Sequence, residues 1–217
     1  MLLIMALFQR NPHSDRQHQP LFSIGMTKTV LIVGLGNIGK EFEGTRHNIG
    51  FACLDAFAKA HEFDAWTDKK DLKCLITSKT LGDTRVILCK PTTMMNLSGE
   101  AVQKIAHFYK IHHQQILAVH DELAIPFGQI RTRTGGSDAG NNGIKSLITH
   151  IGPDFGRVRI GIDGEKPEQM DSADYVLAAF TKEEQKHLPD LTREVTSILT
   201  EYIFSTQLPH DTRTFLT

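Results

Sequence analysis

The sequence predicts a single α/β domain in which a twisted mixed β-sheet is flanked by helices. Short runs rich in β-branched residues alternate with longer segments whose apolar residues recur at helical spacing. Two strand-like runs are separated only by a tight glycine turn, so antiparallel neighbours are expected beside parallel ones. No repeat or linker divides the 217 residues, and a hydrophobic content of 40% is sufficient for one substantial core.

The strand-like runs are short and rich in apolar residues. Residues 29–33 form a β-branched run that ends in glycines, which predicts a buried first strand. Residues 73–80 and 84–90 are expected to pair around Leu81-Gly82-Asp83. Three more strands are predicted at 115–120, 128–133 and 157–162.

Helical periodicity is clearest between these strands. Residues 48–61 have one apolar face, with Thr45 as a candidate N-cap. Residues 98–109 show the same spacing of apolar residues. A glycine-rich loop at 135–143 then leads into a helix that is expected to end near His150.

The last predicted helix has a start signal and an internal irregularity. Thr181-Lys182-Glu183-Glu184 matches a capping box, so the helix is expected to begin there. Its periodicity continues to about Phe204, and Pro189 is expected to disturb it because proline lacks the backbone N–H.

Composition excludes several classes of function. Lys and Arg number 24 against 25 Asp and Glu, which argues against a globally basic nucleic-acid coat but allows a local basic patch. The three cysteines show no C-x-x-C spacing, which favours reduced thiols in the cytoplasm over a disulfide or zinc framework. No apolar run approaches the roughly 18 residues that span a bilayer, so no membrane association is expected.

The N-terminal 25 residues differ from the rest of the chain. Residues 1–8 are apolar but have no basic residue before them, which disfavours a secretory signal. Residues 9–25 are rich in His, Gln and Pro, and this composition predicts disorder. We therefore expect a disordered extension at 1–25 and one domain at 26–217, with Met26 as a candidate start. Organelle targeting is the alternative, although the segment has only two arginines and also contains Asp15.

The turn Gly34-Leu35-Gly36-Asn37-Ile38-Gly39 matches the dinucleotide-binding pattern. That pattern needs a helix that opens at the third glycine and a carboxylate at the end of a second strand. Here Gly44 interrupts the chain before helical periodicity begins, and Asp55 lies inside the predicted helix. A nicotinamide-dependent oxidoreductase is therefore a minor hypothesis, beside that of a purely structural turn.

Two further chemistries are disfavoured. Ser137 lies in a loop that superficially resembles a nucleophile elbow, but in that motif the acid and histidine follow the serine, whereas here the best candidates precede it. The eleven histidines contain no H-E-x-x-H, and adjacent side chains in the strand at His120 point to opposite faces. The sequence therefore predicts neither a metal site nor a cofactor.

What remains is a histidine accompanied by amide and carboxylate side chains at the ends of elements. Each of them alone is explained well as a helix cap or a strand end. Loops at strand ends are nevertheless where α/β sheets gather functional residues. The set consists of Asn37, His47, Asn96, Asp121 and Asn142.

The motifs around these residues resemble those of bacterial-type peptidyl-tRNA hydrolases over residues 29–204. The matching segments are Val33-Gly34-Leu35-Gly36-Asn37, Thr45-Arg46-His47-Asn48-Ile49-Gly50, Pro91-Thr92-Thr93 to Gly99, His120-Asp121-Glu122-Leu123, Arg157 to Ile162 and Asp174-Tyr175-Val176-Leu177. Several ordered motifs are far more specific than one glycine pattern. The resemblance implies the fold of that family, hydrolysis of the ester between peptide and tRNA without a cofactor, tRNA as the partner, and a cytoplasmic monomer.

The resemblance also implies a role for each site residue. His47 is the expected general base, oriented by Asp121. If His47 lies in the first turn of its helix, the positive helix end favours the neutral ring. Substrate contacts are expected from Asn37, Phe42, Met95, Asn96 and Asn142. Arg131 and Arg159 are the expected clamp for the tRNA 5′-phosphate, with an ordinary solvated strand edge as the alternative.

Three residues depart from the usual pattern of the family: Ile38 replaces proline, Phe42 replaces tyrosine and Asn141 replaces histidine. Phe42 retains a stacking face without a hydroxyl, and Asn141 retains hydrogen-bonding capacity but cannot titrate. Because His47 and Asp121 are intact, activity is expected. The remaining alternative is a non-enzymatic RNA-binding protein, since the family also resembles an organellar splicing cofactor.

Overall fold

The computed structural model describes residues 28–164, 166, 169–205 and 207–216. They form one eight-stranded mixed sheet with helices on both faces, which confirms the predicted fold class. The predicted disordered extension at 1–25 lies outside the described residues. None of the helices in the described part is long and apolar enough to cross a membrane.

All six predicted strands are present within a sheet of eight. The strands are β1 (Lys28–Gly34), β2 (Thr67–Lys69), β3 (Cys74–Leu81), β4 (Thr84–Pro91), β5 (Ile116–Pro126), β6 (Gln129–Thr134), β7 (Gly156–Asp163) and β8 (Asp211–Thr214). The helices are α1 (Ile49–Ala60), α2 (Ser98–Tyr109), α3 (Asn142–Ile151), α4 (Ser172–Leu177) and α5 (Lys182–Ser205).

The sheet has a parallel centre and antiparallel edges. Its order is β2-β3-β4-β1-β5-β7-β6-β8, and the pairs β4–β1, β1–β5 and β5–β7 are parallel. The predicted hairpin of β3 and β4 is confirmed, with Leu81 opposite Thr84 across the glycine turn. Because the carboxyl ends of the parallel strands meet at one edge, the segments that follow them are brought together there.

Two apolar layers hold the helices against the sheet. In β1, Val30 and Ile32 face the layer beneath α1 and α5, while Leu31 and Val33 face the layer beneath α2 and α3. This alternation follows from the two-residue period of a strand. Since both faces are covered, residues 30–33 of β1 are continuously apolar and fully buried, as predicted.

The elements that the sequence did not reveal are short. β2 and β8 are edge strands of three and four residues with mostly exposed polar side chains. Helix α4 has only six residues. Such elements are joined to their neighbours by backbone hydrogen bonds or a few contacts, so they leave no periodic apolar pattern to detect.

The predicted N-cap of the first helix is wrong. Residues Arg46–Asn48 form a 3-10 turn, so α1 begins at Ile49 and its N-cap position is Asn48. The Thr45 hydroxyl instead donates to the Phe42 carbonyl at 2.8 Å. Apolar periodicity located the helix but could not separate an α-helical first turn from the tighter turn before it.

The start of α5 has the predicted capping box. The Thr181 N–H donates to Glu184 Oε2 at 2.7 Å, and the Glu184 N–H donates to Thr181 Oγ1 at 3.2 Å. Pro189 lies inside α5 but does not end it. The helix continues because its apolar side, which includes Leu191 and Val195, is buried against the core shared with α1.

Glu184 also anchors the turn before α1. Its Oε2 accepts a 2.6 Å hydrogen bond from Arg46 Nη2, and both side chains are almost fully buried. Arg46 Nη1 donates to the Ala179 carbonyl at 2.8 Å, and the guanidinium lies 4.2 Å from the centre of the Tyr175 ring. The turn is thus attached to the segment that joins α4 to α5.

We expect Glu184→Gln to lower the free energy of unfolding by about 3 kcal/mol, because the substitution leaves the buried Arg46 cation without its counter-charge. Urea denaturation at pH 7 measures the change. The control is Glu183→Gln, whose carboxylate is exposed and paired with exposed Lys186, so its stability is expected to match that of the parent. Equal stability of the two variants would contradict the anchoring role of Glu184.

Candidate active site

The predicted site residues gather at the edge where the parallel strands end. Asn37 follows β1, Asn96 follows β4, and Asp121 lies within β5. Asn142 is the first residue of α3, and His47 is the middle residue of the 3-10 turn before α1. Residues that are far apart in sequence are therefore carried to one edge by the parallel topology.

His47 and Asp121 are in direct contact. The Nδ1 atom of His47 lies 2.8 Å from Asp121 Oδ2, and the side chains are 10% and 2% exposed. Since an ionised carboxylate only accepts, this contact assigns the proton to Nδ1 and leaves the lone pair on Nε2. Nε2 has no hydrogen-bond partner in the described part of the chain and is not sealed from solvent. A neutral histidine with this tautomer can accept a proton.

His47 does not lie in the first turn of α1, so the condition for an effect of the positive helix end is not met. α1 begins two residues later, at Ile49, and the backbone at His47 belongs to the 3-10 turn. Its ring is therefore set by the hydrogen bond to Asp121 and by the buried neighbours Arg46 and Asn48.

Asn141, rather than Asn142, contacts Asp121. Its Nδ2 donates to Asp121 Oδ1 at 3.0 Å and to the Asp121 carbonyl at 3.1 Å, while its Oδ1 accepts from the N–H groups of Gly143 and Ile144. The Asn142 side chain is exposed and makes no hydrogen bond among the described residues. Sequence reasoning treated Asn141 only as a departure from the family; its position two residues before Gly143 was the available sign of a cap.

Asn37 is held by a second asparagine that the sequence did not single out. The Asn37 N–H donates to Asn48 Oδ1 at 2.8 Å, and Asn48 Nδ2 donates back to the Asn37 carbonyl at 2.9 Å. Asn37 Oδ1 accepts from the Met95 N–H at 2.7 Å. Within the described chain its Nδ2 donates to no group, so this atom is available to a ligand.

Met95, one of the expected substrate contacts, has an almost fully buried side chain. Its side chain is 4% exposed and packs so closely on Gly143 that a Cβ added there would lie 2.4 Å from Met95 Sδ. Its main chain makes the direct connection to Asn37. Asn96, the next residue, has an exposed side chain, and Phe42 is half-buried.

The two predicted phosphate residues are neighbours. Arg131 of β6 and Arg159 of β7 are directly opposite in the antiparallel register. Arg159 donates to the buried carboxylate of Glu122 through Nε at 3.2 Å and Nη2 at 3.1 Å. Arg131 Nη2 donates to Gln129 Oε1 at 3.2 Å. The sequence did not reveal that Glu122 offsets part of the charge of Arg159.

A second arginine pair extends the same face of the sheet. Arg133 lies opposite Arg157, two residues along each strand, so all four side chains are on one side. Arg157 donates to the carbonyls of Gly136 and Ser137 and therefore holds the glycine loop. Burial, followed by the charges of Arg133 and Arg159, lowers the pKa of Arg157 to about 10.

An apolar cleft of about 500 Å³ adjoins the site. It is lined in part by Asn37, Asn48, Ile38 and Phe51. His47 and Asp121 do not line it, so the cleft lies beside the His–Asp pair and does not contain it. Among the residues that the structure describes, no three His, Cys, Asp or Glu side chains are placed to hold a metal ion.

The glycine turn has a packing role in this site. A Cβ added at Gly34 would lie 2.5 Å from the Gly50 carbonyl oxygen, so β1 and α1 approach too closely for a side chain. The helix required by dinucleotide binding does not start at Gly39, which precedes the 3-10 turn Lys40–Phe42. The turn therefore lets α1 pack closely on β1 and places Asn37 just after that strand. It does not match the nicotinamide-cofactor pattern.

A family model for peptidyl-tRNA hydrolases matches residues 31–215 of this chain. The chain belongs to this family. It is 46% identical over 162 residues to the peptidyl-tRNA hydrolase of Bacillus velezensis, across 74% of this chain and 85% of that relative. It is also 46% identical over 160 residues to a chloroplastic peptidyl-tRNA hydrolase of Arabidopsis thaliana, across 73% of this chain and 54% of the plant protein.

Solved structures of the family have the same fold. The crystal structure of peptidyl-tRNA hydrolase from Acinetobacter baumannii superposes with a TM-score of 0.76 and 32% identity, covering 83% of this chain and 91% of that one. The resemblance inferred from the ordered motifs is therefore confirmed.

Next to the site, His120 is buried in its neutral form. Its Nδ1 donates to the Asp121 carbonyl at 2.8 Å, and its Nε2 is buried with no partner in the described chain. Burial lowers the pKa of His120 from 6.5 to about 4. The unfolded chain therefore binds more protons than the folded chain in this interval, and stability is lost as pH falls through it.

We expect His120→Gln to make the protein less sensitive to acid. Between pH 7 and pH 5 the parent should lose about 2 kcal/mol more of its free energy of unfolding than the variant, which has no imidazole to protonate. Urea denaturation at both pH values measures the difference. His113→Gln, at an exposed position, is the control and should follow the parent. The same acid sensitivity in parent and His120→Gln would show that His120 is not held neutral.

Proposed function

We propose that the protein hydrolyses the ester bond between peptide and tRNA in peptidyl-tRNA, with His47 as the general base. Activity on peptidyl-tRNA is what gives the family its name, and the chain belongs to that family. The observation that carries the mechanism is the 2.8 Å contact between His47 Nδ1 and Asp121 Oδ2, which leaves Nε2 open.

The proposed chemistry needs one water molecule and one base. His47 Nε2 takes a proton from the water as its oxygen attacks the ester carbonyl, and Asp121 stabilises the imidazolium that forms. When the tetrahedral intermediate collapses, the proton passes to the departing ribose oxygen. The products are a free peptide carboxylate and a tRNA with an intact terminal hydroxyl.

Uncharged amide side chains are suited to binding the substrate and to positioning the water or the developing oxyanion. An asparagine both donates and accepts without changing the charge of the site. We assign Asn37 and Asn96 to the peptide backbone and the ester region, and Asn142 to the water or the developing oxyanion. Phe42 offers a stacking face at the same edge, and Met95 lies below as support. Recognition of main-chain atoms would allow one enzyme to accept many peptide sequences.

The arginine face is the proposed tRNA surface. Arg131 and Arg159 lie side by side, and Arg133 extends the same face, so a phosphate can meet several guanidinium groups. This local concentration occurs in a chain whose net charge is only −1. We assign Arg131 and Arg159 to the 5′-phosphate of tRNA.

The cellular role we propose is recycling of tRNA during translation by a cytoplasmic monomer. The predominance of bacterial relatives among the similar proteins supports the location. The chloroplastic relative from Arabidopsis thaliana shows that location differs within the family.

We expect His47→Ala to lower kcat about 10³-fold with tRNA affinity nearly unchanged, because the variant loses only the base. Asp121→Asn should also slow turnover severely, since the base loses its orienting charge. The measurement is release of tRNA from an N-blocked aminoacyl-tRNA, with His113→Ala, at an exposed site, as control. Substantial hydrolysis by His47→Ala would overturn the assignment.

The same assay separates the proposed function from its alternatives. Release by the parent in the presence of a chelator supports metal-independent hydrolysis. Binding of tRNA without release supports the non-enzymatic RNA-binding hypothesis instead. Neither release nor binding, together with a nicotinamide fluorescence change, would favour the oxidoreductase.

We expect Arg131→Gln combined with Arg159→Gln to weaken tRNA binding and to reduce the slope of log K against log[salt] by about 1 to 2, since fewer counterions are released. Fluorescence anisotropy at several salt concentrations measures the slope. The charge-matched control is Lys186→Gln with Arg193→Gln, two exposed cations on α5. A slope equal to that of the parent, in a double variant that still unfolds cooperatively, would exclude the phosphate role.

A further inference from the structure

Both the oxygen and the nitrogen of the Asn141 side-chain amide form hydrogen bonds, at the point where the start of α3 meets β5. Its Oδ1 caps α3 by accepting from Gly143 N at 3.0 Å and Ile144 N at 3.1 Å. Its Nδ2 donates to Asp121 Oδ1 at 3.0 Å and to the Asp121 carbonyl at 3.1 Å. All four hydrogen bonds are buried, so water cannot easily replace any of them.

The carboxylate of Asp121 is consequently held at both oxygens. Oδ2 meets His47 Nδ1, and Oδ1 meets Asn141 Nδ2. Two contacts on opposite oxygens determine the plane of the carboxylate, whereas one contact would leave it free to rotate about its Cβ–Cγ bond. The orientation of the carboxylate that accepts from His47 Nδ1 therefore depends on Asn141.

We propose that Asn141 is a positioning residue, which orients the Asp121 carboxylate toward His47 and ties that orientation to the start of α3. The proposal rests on the proposed function, in which His47 is the base. It adds a residue that never touches the substrate but sets how the base is presented. It also connects the His–Asp pair to Asn142, the exposed first residue of α3.

Helix capping alone does not explain an asparagine here. The cap needs only an acceptor, and α4 is capped by the carboxylate of Asp171, which accepts from Asp174 N. An aspartate at 141 would cap equally well but would place a second negative charge against Asp121. Serine would also cap, but its shorter side chain would not span to Asp121 Oδ1 at the same time. Among the capping residues, asparagine combines the acceptor with a neutral donor of sufficient reach.

Two substitutions separate capping from positioning. Asn141→Ser and Asn141→Asp both retain an N-cap acceptor, so α3 should remain formed. Without the donor to Asp121, we expect kcat on N-blocked aminoacyl-tRNA to fall about 10- to 100-fold in Asn141→Ser, and further in Asn141→Asp. KM should stay within about twofold, because no substrate contact is removed. The ¹H resonance of the His47 Nδ1 proton should shift in both variants, as its acceptor is reoriented.

The loss of stability is controlled at the opposite edge of the sheet, where β1 and β5 begin. Gln115→Ala removes the hydrogen bonds that Gln115 makes with the His112 N–H and the Thr29 carbonyl, so it should reduce the unfolding temperature while leaving kcat and the His47 resonance as in the parent. A double-mutant cycle completes the test: in an Asp121→Asn background, Asn141→Ser should have little further effect on kcat, because both changes act through one carboxylate.

Several results would overturn the proposal. They are a parent-like kcat with an unshifted His47 resonance in both Asn141 variants, additive effects with Asp121→Asn, or a loss of kcat that Gln115→Ala reproduces. The proposed function fails separately, if the parent releases no tRNA. In that case the His47 resonance in Asn141→Ser still decides whether Asn141 orients the Asp121 carboxylate.

Discussion

The buried ion pair between Arg46 and Glu184 is the constraint on which the site depends. Arg46 is 2% exposed, and a buried cation of this kind is tolerated only where its charge is offset. Here Glu184 supplies the counter-charge, main-chain carbonyls accept from Nη1, and the Tyr175 ring lies against the guanidinium. These partners lie in α4, α5 and the segment between them. Because Arg46 immediately precedes His47, the requirement to pair one buried charge determines where the next side chain lies.

The rest of the site is organised by asparagine amides, some of which hold the structure while others are left available to a ligand. Asn48 closes a reciprocal pair with the main chain of Asn37, whose Oδ1 receives the Met95 N–H and whose Nδ2 stays available. Asn141 is wholly engaged, while the side chains of Asn96 and Asn142 are exposed. Donors that are already fixed by neighbouring elements lose little freedom when a ligand arrives, which is the general basis of electrostatic preorganisation.

Sequence reasoning succeeded where a residue pattern has one structural meaning. The apolar period placed β1, the hairpin of β3 and β4, and α2, and the capping box placed the start of α5. It failed where several structures share one pattern. Thr45 was a plausible cap, but the chain forms a 3-10 turn there. Nor does any local pattern encode the packing of Met95 on Gly143, a contact between segments 48 residues apart in sequence.

The sequence by itself determined the order of the main elements, the family, and the identities of the histidine and the aspartate. Only the tertiary structure decided that they meet, that Asn141 holds the second oxygen of Asp121, and that Glu122 shares the charge of Arg159. The physical reason lies in sequence separation: 74 residues part His47 from Asp121, and 138 part Arg46 from Glu184. Periodicity encodes which face of an element is buried, whereas a hydrogen bond near 3 Å depends on how whole elements pack.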